Sequence, residues 1–391
     1  MDAPMEGRGT SEVKKEPVSE LYGESHTRKI ALLVALFIIL IISSAVAASV
    51  GSASISLEDV VLSIVNASII TINGFLSFIG HYIPVGFRLN PAIATPHSDI
   101  AEVIVVNMRL PRILLAILTG VSLAVAGAVM QGILRNPLVS PFTLGLASAA
   151  SFGAAVAIVF GAGLAAALMI DPNYITVISA FAVGLFSMFL IYGISRMRGT
   201  GPATLILAGV VIGYIFQAGV LMLQYSSNNQ QLENIVVWLM GGMWGASWDT
   251  IIILAPITLV SVLLMGLMAW NLNALAAGDD IAKSLGIRVE RLRLFCLFIT
   301  TLAASSCLAF TGVIGFIGLM APHICRMFIG NDYRYLIPCS ALIGGIILMV
   351  SDTFARTIMA PQEIPVGIIM YVIGGIFFLF LILRGKESHI Y

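Results

Sequence analysis

Long apolar runs separated by short polar punctuation dominate this chain. A helix needs about 20 mostly apolar residues to cross a bilayer. Runs of that kind occupy 30–50, 113–134, 143–167, 174–195, 203–224, 250–270, 292–311, 312–329, 336–358 and 364–383. The seventh and eighth are contiguous in hydropathy and divide at the glycine-rich "TGVIGFIG". The pattern predicts an all-α polytopic membrane protein with about ten transmembrane helices.

The polar remainder falls into four pieces. Residues 1–29 ("SEVKKEPVSELYGESHTRK" within them) have no apolar period and are expected to be a disordered tail. Residues 51–108 form the largest connection on one side, with a short amphipathic helix expected near "SLEDVVLSIV". Residues 272–293 form the largest connection on the other, and 385–391 make a second tail. Segment 272–293 is too polar to span but keeps helix-like apolar positions at Leu275, Ile281, Leu285 and Ile287. Asp279 and Asp280 suit a helix N-terminus. Spacing alone leaves a polar hairpin and a short helix–turn–helix made to touch another protein equally open. The run 30–50 ends near "AVA", but it exceeds the roughly 7–15 residues of a signal-peptide core and reads as an uncleaved span.

Composition agrees with the pattern. Of 391 residues, 59% are hydrophobic and 10% charged, against roughly 25% charged in a soluble domain. Mean hydropathy is +1.02. Lys plus Arg and Asp plus Glu both number 20, and no polybasic run suggests nucleic acid.

Charge also orients the chain. With the N-terminus inside, the inner side receives all but four of the Lys and Arg residues, as the positive-inside rule requires. Both termini are then cytoplasmic. The four left outside are Arg88, Arg109, Arg112 and Arg356. Two of them open the stretch "NMRLPRILLAI", where positive charge is normally scarce.

Little in the chain points to catalysis. Cys296, Cys307, Cys325 and Cys339 form no C-x-x-C pair and read as lone thiols in a helical bundle. His323 has no second His or carboxylate at ligand spacing, so no metal is expected. The only Gly-Lys, Gly385-Lys386, is followed by Glu387, so no nucleotide-binding P-loop exists here. An ion-coupled secondary transporter usually keeps acidic relays in the bilayer. Here Asp352 alone lies well inside a run, with Asp249 and Glu363 at edges. Asn66-Ala67-Ser68 matches a glycosylation triplet of a kind that arises often by chance.

Seven stretches then occur in a recognisable order. They are "RLPR" (109–112), "GAVMQGILRNPLVSPFTLG" (127–145), "WLMGGMWGASW" (238–248), "GDDIAKSLGI" (278–287), "GFIGLMAPHICRMFIGNDYR" (315–334), "SDTFAR" (351–356) and "EIPVGI" (363–368). Together they resemble the FecCD-type permeases of ABC importers for ferric siderophores, haem and vitamin B12. The resemblance implies a homodimer with its path at the subunit interface. It implies two ATPase subunits beneath, holding the ATP and Mg, and a soluble binding protein on the outer face. It implies no cofactor in this chain, and a ferric chelate as commonest cargo.

Residue by residue, the resemblance assigns Arg109, Arg112 and Arg356 to docking of the binding protein. It assigns Gly278, Asp279, Asp280, Ala282, Leu285 and Gly286 to the coupling segment that enters the ATPase. The loop "GTGPAT" takes the place of a cytoplasmic gate, but Pro202 and Ala203, beside Thr200 and Thr204, replace the small hydroxyl residues of the vitamin B12 permease. Ile376 stands where the family commonly has proline, so a straight last span is expected. The glycines Gly312, Gly315 and Gly318, at spacing three, are expected to bare one helix face for close packing.

Overall fold

A computed structural model describes residues 18–51, 55–80 and 99–384. Among them the order is α1 (Val18–Ser49), α2 (Leu57–Gly80), α3 (Asp99–Val103), a π turn (Ile104–Arg109), α4 (Leu110–Leu134), α5 (Leu146–Leu168), α6 (Pro172–Arg198), α7 (Pro202–Ser226), α8 (Asn229–Met240), α9 (Trp248–Leu267), α10 (Ala269–Ala276), α11 (Asp279–Ser284), α12 (Val289–Thr311), α13 (Ile317–Ile329), α14 (Tyr333–Ala355) and α15 (Val366–Arg384). Nine helical stretches among the described residues are long and apolar enough to cross a membrane. The protein is a multi-pass, all-helical membrane protein.

The difference from ten lies in the stretch 312–329. Only Ile317–Ile329 is helical, 13 residues, or about 20 Å at 1.5 Å per residue. A bilayer core is about 30 Å thick. Gly312 (φ +67) and Phe316 (φ +66) leave the right-handed region and stop a helix from forming between them. Of the three spaced glycines, only Gly318 therefore sits on a helix. Irregular backbone at membrane depth is tolerated where protein covers it, and residues 311–315 are all buried. The Gly242 amide donates to the Thr311 carbonyl at 2.8 Å, and the Gly367 amide to the Gly241 carbonyl at 3.1 Å. Three of the glycine-bearing motifs thus meet at one break.

Other boundaries shift for local reasons. Residues 18–29, expected in the tail, extend α1 at its N-terminal end; residues 1–17 and 385–391 lie outside the described residues. The amphipathic helix near "SLEDVVLSIV" is α2, 24 residues long, with the Ser56 hydroxyl accepting from the Asp59 amide at 3.0 Å. The "RLPR" stretch lies within a helix: α3, the π turn and α4 form one helical rod. Pro111 has no N–H to give, and the ladder ahead of it is re-registered as the π turn. The indole of Trp248 donates to the Val106 carbonyl exposed there, at 3.0 Å. α15 runs unbroken through Ile376, as expected.

α4 is the centre of the bundle, packed by α9, α12, α13 and α14. Lipid is as apolar as leucine, so helices associate through close contact. Gly127 on α4 faces Gly318 on α13 so closely that a Cβ on Gly127 would overlap the Gly318 carbonyl. Gly120 meets Gly344 of α14 in the same way. Gln131 ties the contact, donating to the Gly318 carbonyl at 3.2 Å while accepting from Arg326 at 2.5 Å.

Candidate functional site

Two polar clusters sit at opposite ends of α4. At its start the structure brings together Arg109, Arg112 and Arg356, turned inward. Arg109 is 5% exposed and donates to the Ala48 and Ser49 carbonyls at 2.6 and 3.0 Å. Arg356 is 9% exposed and donates to the Ala47 carbonyl. These are the last carbonyls of α1, which have no partner inside their own helix. Two guanidiniums therefore cap α1 where its dipole is negative. Gly51 makes room, because a Cβ there would lie 2.7 Å from Arg109 Nη2. Burial depresses the Arg356 pKa below its ordinary value; Asp352 opposes this, and Arg112 and Arg109 add to it.

Arg112 is the member nearest solvent. Its Nε and Nη2 donate to the two oxygens of Asp352 at 2.9 and 3.0 Å, a bidentate fork. Its Nη1 donates to Glu363 Oε2 at 2.6 Å. The Asp352 side chain is 4% exposed and that of Glu363 38%. Asp352 thus pairs across the bundle, joining α14 to α4.

The second cluster lies at the far end of α4. α10 and α11 form the helix–turn–helix left open by the spacing. Gly278 (φ +130) and Gly286 (φ +82) bound α11 with backbone that L side chains rarely adopt. Ala282 is buried beneath α11, whereas Asp280 and Gly286 face out, with Ile281 and Leu285 exposing apolar surface. Asp279 turns back into the protein. Its Oδ1 accepts from Arg293 Nη2 at 2.7 Å and forms an ion pair with Arg135 Nη2 at 3.2 Å. Arg293 is 3% exposed and also donates through Nε to the Ile133 carbonyl, the end of α4, at 2.9 Å. Its Nη1 lies 3.5 Å from the Thr200 carbonyl. That carbonyl belongs to the expected gate loop, where Thr200, Pro202 and Thr204 are half-buried, Ala203 is exposed, and Pro202 opens α7.

Four participants were not predicted: Glu363, Arg293, Arg135 and the end of α1. Glu363 and Arg293 carry no spacing signal, because their partners are distant in the chain. The capped carbonyls of α1 are backbone atoms with no sequence signature at all.

Between the clusters the interior is mostly apolar, with buried hydroxyls among it such as the Ser122–Thr258 pair at 3.0 Å. No group of three or more His, Cys, Asp or Glu that could hold a metal exists among the described residues. His323 packs edge-on against Phe377 and Phe378. The four cysteines are buried and unbridged. Asn66 is 9% exposed and donates to Glu102 at 3.0 Å, so its amide is used internally.

Comparisons with known proteins fit this geometry. The profile of the FecCD transport family matches residues 36–384. The chain is 40% identical to the hemin transport system permease of Yersinia pestis over 75% of this chain and 87% of that one. It is 33% identical to the cobalamin import system permease of Halobacterium salinarum over 93% and 98%. A solved structure described as a metal-chelate type ABC transporter in an inward-facing conformation superposes with a TM-score of 0.74 and 28% identity, covering 90% of this chain and 99% of that one. The chain belongs to the FecCD transport family of ABC transporter permeases.

Proposed function

We propose that this permease is the membrane subunit of an ATP-driven importer carrying a metal chelate inward, with a ferric siderophore as cargo and haem or a corrinoid as the alternatives. The named substrates of its relatives, hemin and cobalamin, support the class. A metal wrapped in an organic ligand needs no protein ligands of its own, so the class is compatible with the lack of a His, Cys, Asp or Glu cluster among the described residues.

The observation that carries the reading is α4. One helix carries Arg112 in its first turn, on the end rich in arginine, and Ile133 in its last, whose carbonyl accepts from Arg293 beside Asp279. The bias of Lys and Arg supports placing the Asp279 end in the cytosol. There α11 offers Asp280, Ile281 and Leu285 to an ATPase subunit, which holds the ATP and Mg. At the outer end a binding protein presents carboxylates to Arg112, while Arg109 and Arg356 hold the surface in shape. Two copies of the chain enclose the path, gated near Thr200 to Thr204.

The ion-coupled alternative would want Asp352 as a proton relay. A carboxylate forked onto Arg112 at 2.9 and 3.0 Å is committed to an ion pair between two helices, which gives that role no support. Reconstitution in proteoliposomes decides. Uptake of a ferric chelate should require the binding protein, the ATPase and internal ATP. Gradient-driven uptake without the ATPase would overturn the proposal. Charge reversal at Arg112 should weaken binding-protein affinity and flatten its salt dependence.

A further inference from the structure

A cavity of about 410 Å³ opens at the end of the bundle where α1 begins, bounded by Arg28, Lys29, Ala31, Leu32, Ala35 and Phe328. It falls within the roughly 300–1,000 Å³ of ordinary ligand clefts. We propose that this furrow between α1 and α13 is a binding site for one anionic phospholipid, its phosphate held by Arg28 and Lys29 and one acyl chain laid over Ala31 and Ala35.

The chemistry is graded along the helix axis. The two cations sit at the polar end, where α1 leaves the apolar run. Below them, Ala31 and Ala35 are one turn apart on the same face and leave a channel that larger residues would fill. Leu32 and Phe328 bound it, and Phe328 is 66% exposed. From Lys29 to Ala35 the helix rises about 9 Å, the reach of several methylenes. The apolar window of α1 is only 6% buried by protein, so this face has lipid for a neighbour.

The head position is also built rather than loose. Lys29 Nζ lies 5.1 Å from the centre of the Tyr335 ring, and His26 closes on the same tyrosine edge-on. Arg334 stacks on Trp270 at 4.4 Å and lies 5.6 Å from the Tyr335 ring. Aromatic and basic side chains of this kind mark the headgroup level of a membrane, and basic pockets between helices take acidic headgroups. A free phosphate would leave the apolar two thirds of the furrow unused.

The test uses the full chain in detergent, with dioleoyl phosphatidylglycerol and dioleoyl phosphatidylcholine added at equal concentration and bound lipid counted by native mass spectrometry. Two cations near an anionic headgroup predict a preference for phosphatidylglycerol of roughly 10- to 30-fold. R28Q/K29Q should bring the two lipids level. A35L, on an exposed face that tolerates it, should lose both. K283Q/R288Q, which removes as much charge elsewhere, should keep the preference. The proposal is overturned if R28Q/K29Q retains the preference, if K283Q/R288Q abolishes it equally, or if millimolar inorganic phosphate displaces the bound phosphatidylglycerol.

Discussion

Arg112 holds Asp352 with two parallel hydrogen bonds of 2.9 and 3.0 Å, across 240 residues of sequence. The pair locks the start of α4 to the last turn of α14. R112A leaves a nearly buried carboxylate without its cation, at an expected cost of about 3 kcal/mol. Thermal unfolding in detergent should show a large drop for R112A and a smaller one for D352N. R112M/D352L should recover most of the loss, since a buried pair is often replaceable by apolar residues. Equal midpoints for R112A and the unaltered protein would refute this account of the pair.

The Arg293 cluster predicts an uncoupling phenotype. Arg293 reaches Asp279, the Ile133 carbonyl and, at longer range, the Thr200 carbonyl. R293Q and D279N should still bind the ATPase through the exposed face of α11. Stimulation of ATP hydrolysis by loaded binding protein should fall at least severalfold, and R293K should restore part of it through its charge. Hydrolysis rates with and without loaded binding protein measure this. Loss of ATPase binding in D279N would make the residue a contact point and not a positioning one.

Glycine contacts predict two contrasting substitutions. G127A drives a Cβ into the Gly318 carbonyl, backbone against backbone, and should abolish a stable bundle. G163A meets nothing within 4 Å on α5 and should be neutral or slightly stabilising, by up to about 1 kcal/mol from helix propensity. Yield and melting temperature of the two variants provide the comparison.

Asp332 predicts an acid dependence. Burial alone would raise its pKa, but hydrogen bonds from the Arg334 and Asn273 side chains and the Arg334 amide outweigh this and hold it at about 2. A depressed carboxyl pKa contributes stability that is complete above its unfolded value, about 4. That contribution fades as pH falls from there towards 2. D332N keeps the amide-accepting oxygen but removes the charge. The melting-temperature gap between D332N and the unaltered protein should be constant from pH 5 to pH 7 and close on acidification. A gap that widened below pH 4 would contradict the assignment.

Hydrophobic runs alone disclosed the class of fold and most helix positions, because in a bilayer every backbone polar group must be satisfied within its own segment. α5, α6, α7, α12 and α15 end within a few residues of their apolar runs. The same logic failed at 312–329. Hydropathy counts apolar side chains and is blind to the positive φ of Gly312 and Phe316, which protein contacts permit. Charge bias singled out Arg88, Arg109, Arg112 and Arg356, because a cation on the expected outer side is an anomaly visible in one dimension; Arg88 lies outside the described residues. What the other arginines do was decided in three dimensions. Their partners, Asp352, Glu363 and the last carbonyls of α1, come from distant segments brought together by folding. Asp279 was legible as a helix N-terminus, but its inward turn to Arg293 and Arg135 was not. Spacing along one helix encodes only neighbours three and four residues apart; an ion pair between helices is a property of packing.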